Sequence, residues 1–232
     1  MYPESGTPQG GVISPLLANV FLDEVLDGWF EDVARPRLRG RSFFVRYADD
    51  TVLVFENEED ARRVFEVLPK RFAKYGLNLH PEKTRLVAFE RPRKGGDGPR
   101  PGTFDYLGFT HYWGRARRGS PAVLRKTARD RFTWSLRAVS HWCRKHRHSQ
   151  IAEQQRVLGQ KLRGHYAYYG ITGNYSALSR FHRATQAVWR KWLDRRSHRG
   201  MMRWDRFWRL QERYPLPPPR VIHTVYRLAA TS

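Results

Sequence analysis

FFVRYADDTVLVF, residues 43–55, is the segment from which the architecture can be read. Phe43 to Ala48 and Thr51 to Phe55 are apolar and β-branched, and Asp49-Asp50 stands between them. Two such runs separated by two turn-forming residues read as a β-hairpin with both acids at its tip. Adjacent carboxylates repel one another unless a cation is present. Mg2+ suits such a place, because it takes one or two carboxylates together with substrate phosphates. Two such ions can clamp an in-line phosphoryl displacement. An ordinary Asp-Asp turn satisfies the same pattern, since acids are common in turns. The hairpin taken alone leaves both readings open.

Before the hairpin, Gly6 to Pro15 is a Gly/Pro-rich loop that launches a helix. Ser14 is expected at its N-cap and Pro15 at its first helical position. The helix continues through LLANVFLDEVLDGWF, with Leu17, Phe21, Val25 and Trp29 on one stripe. Arg35 to Arg41 reads as a basic loop. After the hairpin, Asn57 to Lys74 is an amphipathic helix with Asn57 and Asp60 as capping candidates, and Gly76 closes it. Thr84 to Phe89 reads as a short strand, Arg91 to Gly102 as a mobile loop, and Phe104 to Tyr112 as a strand or hairpin. Beyond Tyr112 the pattern is helical, near Leu124–His146, Gln150–Tyr169, Tyr175–Arg196 and Arg203–Arg213, with Pro215 to Pro219 ending the last helix. The expected fold class is therefore α+β, with short antiparallel strands and helices first and a helical region after them.

The 232 residues include 43 Lys+Arg against 22 Asp+Glu, a net charge of +21. The excess is one-sided. Residues 1–112 hold 16 Lys/Arg and 17 Asp/Glu, whereas residues 113–232 hold 27 and 5 and carry seven of the eight tryptophans. A near-neutral half joined to a basic, aromatic half reads as two domains, 1–112 and 113–232. The basic one is expected to contact a polyanion, with nucleic acid leading. One cysteine, Cys143, excludes a disulfide framework and a cysteine-rich zinc site. The N-terminus lacks the basic-then-apolar pattern of a signal peptide, and no apolar run reaches membrane-spanning length. The expectation is a soluble, cytoplasmic protein with no membrane partner.

Four motifs in order break the tie left by the hairpin. Gly6 to Pro15 (GTPQGGVISP), Tyr47 to Asp50 (YADD), Gly76 to Thr84 (GLNLHPEKT) and Phe104 to Phe109 (FDYLGF) follow the order and spacing of motifs in a reverse transcriptase palm. The PQGGVISPLLANVFLD wording most resembles group II intron-encoded reverse transcriptase/maturases. That resemblance implies part of a right-hand polymerase palm over 1–112, RNA-directed DNA polymerase chemistry, and a two-ion Mg2+ site. It implies that Asp49 is a catalytic metal ligand and that Asp50 is its neighbour, with a weaker claim to direct ligation. Gln9, Gly10 and Gly11 would lie against the template and nascent base pair, and Tyr47 near the primer end. Lys83 would neutralise or protonate the pyrophosphate leaving group, or else is a surface lysine. Tyr106, Leu107 and Gly108 would grip the primer backbone, or pack the sheet.

Leu162 to Ser197 resembles the thumb, or maturase, domain of the same family, which binds intron RNA and cups the template–primer duplex. Tyr166, Tyr169, Trp189 and Trp192 fall at helical spacing and are read chiefly as core. Arg163, Arg183, Arg190, Lys191, Arg195 and Arg196 are the expected RNA contacts. His141, Cys143, His146 and His148 do not match zinc-ligand spacing.

In the family a further aspartate comes from a strand ahead of the PQG loop, and that strand is absent from this sequence. Asp23 and Asp27 lie on the following helix, where the motif places no ligand. The expectation is that the chain does not polymerise by itself and pairs with an upstream reverse transcriptase fragment, or else serves as an RNA-binding splicing module. A retron or diversity-generating reverse transcriptase is the other alternative.

Overall fold

A computed structural model describes residues 13–92, 101–116, 119–197 and 201–224. The expected sites Gln9, Gly10 and Gly11 lie outside these residues, as does most of the loop expected over Arg91 to Gly102. The chain divides into two compact units, Met1–Glu90 and Arg91–Ser232.

In unit 1, helix α1 (Ser14–Leu22) has Ile13 at its N-cap and Pro15 in the first turn, so Ser14 begins the helix and does not cap it. The helix runs on as a π-helical segment, Asp23–Ala34. Wider turns change which residues share a face. Val25, Leu26, Phe30 and Ala34 are buried, whereas Leu17 and Phe21 of the expected stripe are exposed. Strands β1 (Ser42–Tyr47) and β2 (Asp50–Phe55) pair antiparallel, with Ala48 and Asp49 as the turn. Phe30 stacks on Phe44 at 5.4 Å and meets Phe55 edge-on at 6.2 Å. Together with Val64, Leu68 and Phe72 of helix α2 (Glu58–Lys74) these side chains form the core of unit 1.

Asn57 caps α2 as expected, its Oδ1 accepting from Glu59 N at 2.9 Å. Asp60 has a different task. It is buried, and its Oδ2 accepts from Arg39 N at 2.8 Å and Gly40 N at 2.9 Å, pinning the loop that leads into β1. Gly76 (φ 71°) closes the helix, with Gly76 N donating to Ala73 O and Leu77 N to Phe72 O. That is the paired bonding of a Schellman motif, which needs a left-handed residue there. The strand expected over 84–89 does not form. Its apolar residues supply strand propensity, but propensity needs a neighbouring ladder to become a strand, and among the described residues β1 and β2 pair only with each other.

Unit 2 begins with an antiparallel meander of β3 (Phe104–Tyr106), β4 (Phe109–Arg115) and β5 (Pro121–Thr127). Leu107 (φ 48°) and Gly108 (φ 75°) make the β3–β4 turn. Two left-handed residues match the twist of the flanking strands. β5 corrects the expectation of a helix from Leu124. Pro121 to Thr127 instead pairs along β4, from Arg115↔Pro121 to Phe109↔Thr127, and helix α3 starts at Arg129 (Arg129–Lys145).

Helices α4 (Ile151–Tyr169), α5 (Tyr175–Asp194) and α6 (Trp204–Arg213) follow, close to the expected spans. Their core includes Leu158, Leu162, Tyr166, Phe181, Trp189 and Phe207, with Tyr169 and Trp192 half-buried against it. Trp189 Nε1 donates to Gln154 Oε1 at 2.8 Å, so the largest buried side chain leaves no polar atom unsatisfied. Cys143 is buried there, and burial pushes its thiol up to about 12. Asn174 ties sheet to helices. Its Nδ2 donates to Thr127 Oγ1 and Tyr169 O, both at 2.8 Å, and its Oδ1 accepts from Thr127 N at 2.9 Å.

Asn174→Ala strands these buried groups together, and the expected cost is about 3 kcal/mol in denaturant unfolding. A second outcome concerns acid. His165 is buried and stacked on Phe181 at 3.8 Å, and burial pushes its pKa from 6.5 to about 4. The unfolded chain therefore takes up this proton first as pH falls. Stability present above pH 6.5 is lost down to about 4, and His165→Phe makes a pH series of melting curves shallower over that window. Burial lowers the His182 pKa too, which leaves a residual slope.

Candidate functional site

The hairpin tip is built from its backbone outward. Tyr47 pairs with Asp50, so Asp50 sits in β2 and Asp49 in the turn beside Ala48. Ala48 has φ 53°, a left-handed conformation that costs a non-glycine residue on the order of 1 kcal/mol. Arg46 holds that turn. Side chains alternate along β1, and Arg46 shares the inward face with Phe44. Its Nη1 donates to Ala48 O at 3.0 Å and to Asn19 Oδ1 at 2.9 Å. Its Nε meets Asp27 Oδ1 at 2.7 Å and its Nη2 meets Asp27 Oδ2 at 2.6 Å. The two side chains are 11% and 22% exposed, so the bidentate pair is largely out of water and rigid.

This arrangement has an electrostatic consequence. The cation next in sequence to the tip is committed to Asp27, while Asp49 and Asp50 are exposed and form no ion pair among the described residues. Carboxylates of this kind are the donors Mg2+ takes, one or two at a time, together with substrate phosphates. A second ion needs further ligands, and among the described residues no group of three or more His, Cys, Asp or Glu is placed to hold a metal. Tyr47 is exposed on the outward face of β1. Lys83 is exposed in the turn after His80, its backbone N–H donating to His80 O at 3.1 Å.

Tyr106, Leu107 and Gly108 belong to unit 2, at the β3–β4 turn. Tyr168 Oη donates to Leu107 O at 3.1 Å, and a Cβ at Gly108 would stand 3.1 Å from Tyr169 Oη, so the turn lies close against α4. Beside it an open cavity of about 580 Å³ is lined by Asp105, Arg129, Arg131, Trp134 and Arg137. Trp134 is 70% exposed there, and the lining also includes Thr133 and Asp130, the latter 3.7 Å from Arg131. Of the arginines and lysine expected to meet RNA, Arg163, Arg183, Lys191 and Arg195 are exposed. Arg190 donates to Met202 O at 2.6 Å, and Arg196 donates to the carbonyls of Arg147 and Ser149.

Sequence reading missed the Arg46–Asp27–Asn19 cluster and the Trp134 cavity. A charged residue on the inward register of an apolar strand was the available signal for Arg46. Nothing in the spacing marks Asp27 as its partner, because the pairing spans two elements.

Residues 1–111 match the family model for reverse transcriptase (RNA-dependent DNA polymerase). The match takes in the hairpin tip and the β3–β4 turn. No curated protein matches the chain.

Arg46→Ala leaves Asp27 unpaired and the Ala48 carbonyl without its donor. The expected loss is about 3 kcal/mol in the unfolding of unit 1, followed by near-ultraviolet circular dichroism. Arg46→Lys keeps the charge without the planar fork and recovers only part of it.

Proposed function

We propose that the chain carries the acidic turn and the nucleic-acid-binding half of a reverse transcriptase of the group II intron-encoded type, acting in nucleotidyl transfer on an RNA template. The observation that carries this reading is the clamped Asp49-Asp50 turn, lying within the segment that matches the reverse transcriptase family. In the proposed reaction the primer 3′-hydroxyl gives up its proton to solvent and attacks the α-phosphorus of a nucleotide. The new P–O bond forms as the bond to pyrophosphate breaks in line with it. Bound Mg2+ supplies charge stabilisation at the transferring phosphate. Asp49 would hold the ion with Asp50 as its neighbour, and Arg46 fixes the turn that carries them. Gln9, Gly10 and Gly11 lie against the template base pair, and Tyr47 stands near the primer end. Lys83 gives a proton to the departing pyrophosphate. Tyr106, Leu107 and Gly108 meet the primer backbone, and the basic helical region acts as thumb and maturase domain.

The proposal includes a partner. Helix α1 has no buried residue, and Phe43, Val45, Tyr47 and Val54 are exposed on the outward face of the hairpin. An apolar surface of that kind calls for a cover. The proposed cover is an upstream reverse transcriptase segment bringing the further carboxylate. A second reading is also supported. The exposed Trp134 beside Arg129, Arg131 and Arg137 suits RNA binding without synthesis, as in a splicing module.

Primer extension on an RNA template with Mg2+ tests both. The expected result is extension when the chain is mixed with a separately expressed upstream segment, reduced about a hundredfold or more by Asp49→Ala. Silence in the mixture, with RNA affinity that falls steeply in salt, supports the splicing-module reading instead. Silence with no RNA binding overturns both.

A further inference from the structure

Helix α6 is sharply divided. Phe207 is fully buried and Gln211 nearly so, while Trp204 and Trp208 form the adjacent strip of the helix and are 44% and 47% exposed. These two are four residues apart and so neighbours on one face. Their rings stack at 5.5 Å with 24° between planes. Arg190 of α5 places its guanidinium 4.3 Å from the Trp204 centroid and is itself anchored by its bond to Met202 O. Phe207 meets Trp204 edge-on at 5.8 Å. The result is a rigid aromatic surface held from behind, with nearly half of each indole left in water.

The charge around it is unbalanced. Arg203, Arg206 and Arg209 are exposed on the same short segment. The acids of this segment are Asp205, 3.7 Å from Arg203 and 3.3 Å from Arg209, and Glu212, exposed four residues after Trp208, so the exposed arginines, Arg213 included, still outnumber them. Water-exposed indoles next to excess guanidinium groups suit a ligand with flat apolar faces and a phosphate backbone.

We infer that the exposed tryptophan strip of α6 is a stacking site for single-stranded nucleic acid, with Trp208 as the platform for a base and Arg209, next to it in sequence, and Arg203, next to Trp204, as the nearest cations for its phosphates. A duplex does not fit this role, because its base faces are already stacked on one another. The inference rests on the reading of unit 2 as nucleic-acid-binding and adds to it a place and a strandedness.

The test is fluorescence anisotropy of the full chain with a short labelled oligoriboadenylate and, separately, a blunt RNA duplex. Trp208→Ala and Trp204→Ala are expected to weaken the single-strand complex about tenfold and leave duplex binding within about twofold, while Trp208→Phe retains most of the affinity. Melting curves of the variants, expected to match the parent because Trp208 is half-exposed, separate loss of stacking from loss of fold. Unchanged single-strand affinity in Trp208→Ala overturns the site. So does an equal loss on both probes, which assigns the face to charge alone. Retained RNA binding with loss of self-association in sedimentation assigns it to protein contact and overturns it as well. A parent chain that binds neither probe removes the nucleic-acid reading of unit 2 together with the site.

Discussion

One guanidinium governs the position of the two acids at the hairpin tip. Arg46 reaches Asp27 with two of its nitrogens and the Ala48 carbonyl with the third, so a helix carboxylate and a strained turn share one donor. A carboxylate pair on a free turn would spread apart by repulsion. Here the backbone beneath it is fixed, and the neighbouring positive charge is already neutralised by Asp27. The tip acids stay exposed and uncompensated, the condition under which a hard cation and its phosphates gain most from binding. Unit 1 thereby accepts local strain at Ala48 and holds it with a largely desolvated ion pair, a common arrangement at working sites.

Unit 2 follows a different physical logic. Its core is apolar and aromatic, and some of its buried polar groups are tied to one another, as Trp189 is to Gln154. Its excess of cations is kept outside, on helices whose outer faces also expose Trp134, Trp204 and Trp208. Such a surface repels itself unless an anion joins it. Some of the basic residues serve the fold as well. Arg190 and Arg196 cap carbonyls and rings of the same chain, so the count of cations overstates the number free to meet a ligand.

The hairpin, α2 and helices α4 to α6 were legible because each rests on a local signal. These signals are alternating β-branched residues, an Asn57 cap with a Gly76 stop, and apolar stripes broken by Gly and Pro. Four expectations failed, each where the surroundings overrode a local signal. Val25 is buried as its stripe implies, but Leu17 and Phe21 are exposed and Leu26 and Phe30 join the core, because the helix widens to π geometry, which a regular helical period does not anticipate. Residues 84–89 have strand propensity without a ladder to join, and Leu124 to Thr127 went to a strand because β4 lay open beside it. Asp60 read as a cap and turned out to hold a distant loop.

The sequence by itself determined the adjacency of Asp49 and Asp50 at a turn, the burial of the aromatic stripe in the basic half, and the segregation of charge between the halves. These follow from composition and from periods of two and of about three and a half residues, which are properties of the chain alone. Tertiary structure decided which cation neutralises which acid, which tryptophans stay in water, and which strand finds a partner. Those outcomes depend on distances between residues far apart in the chain. Arg46 and Asp27 are 19 positions apart, and Asn174 and Thr127 are 47. No local pattern encodes such a pairing, because it exists only when packing brings both groups out of water together.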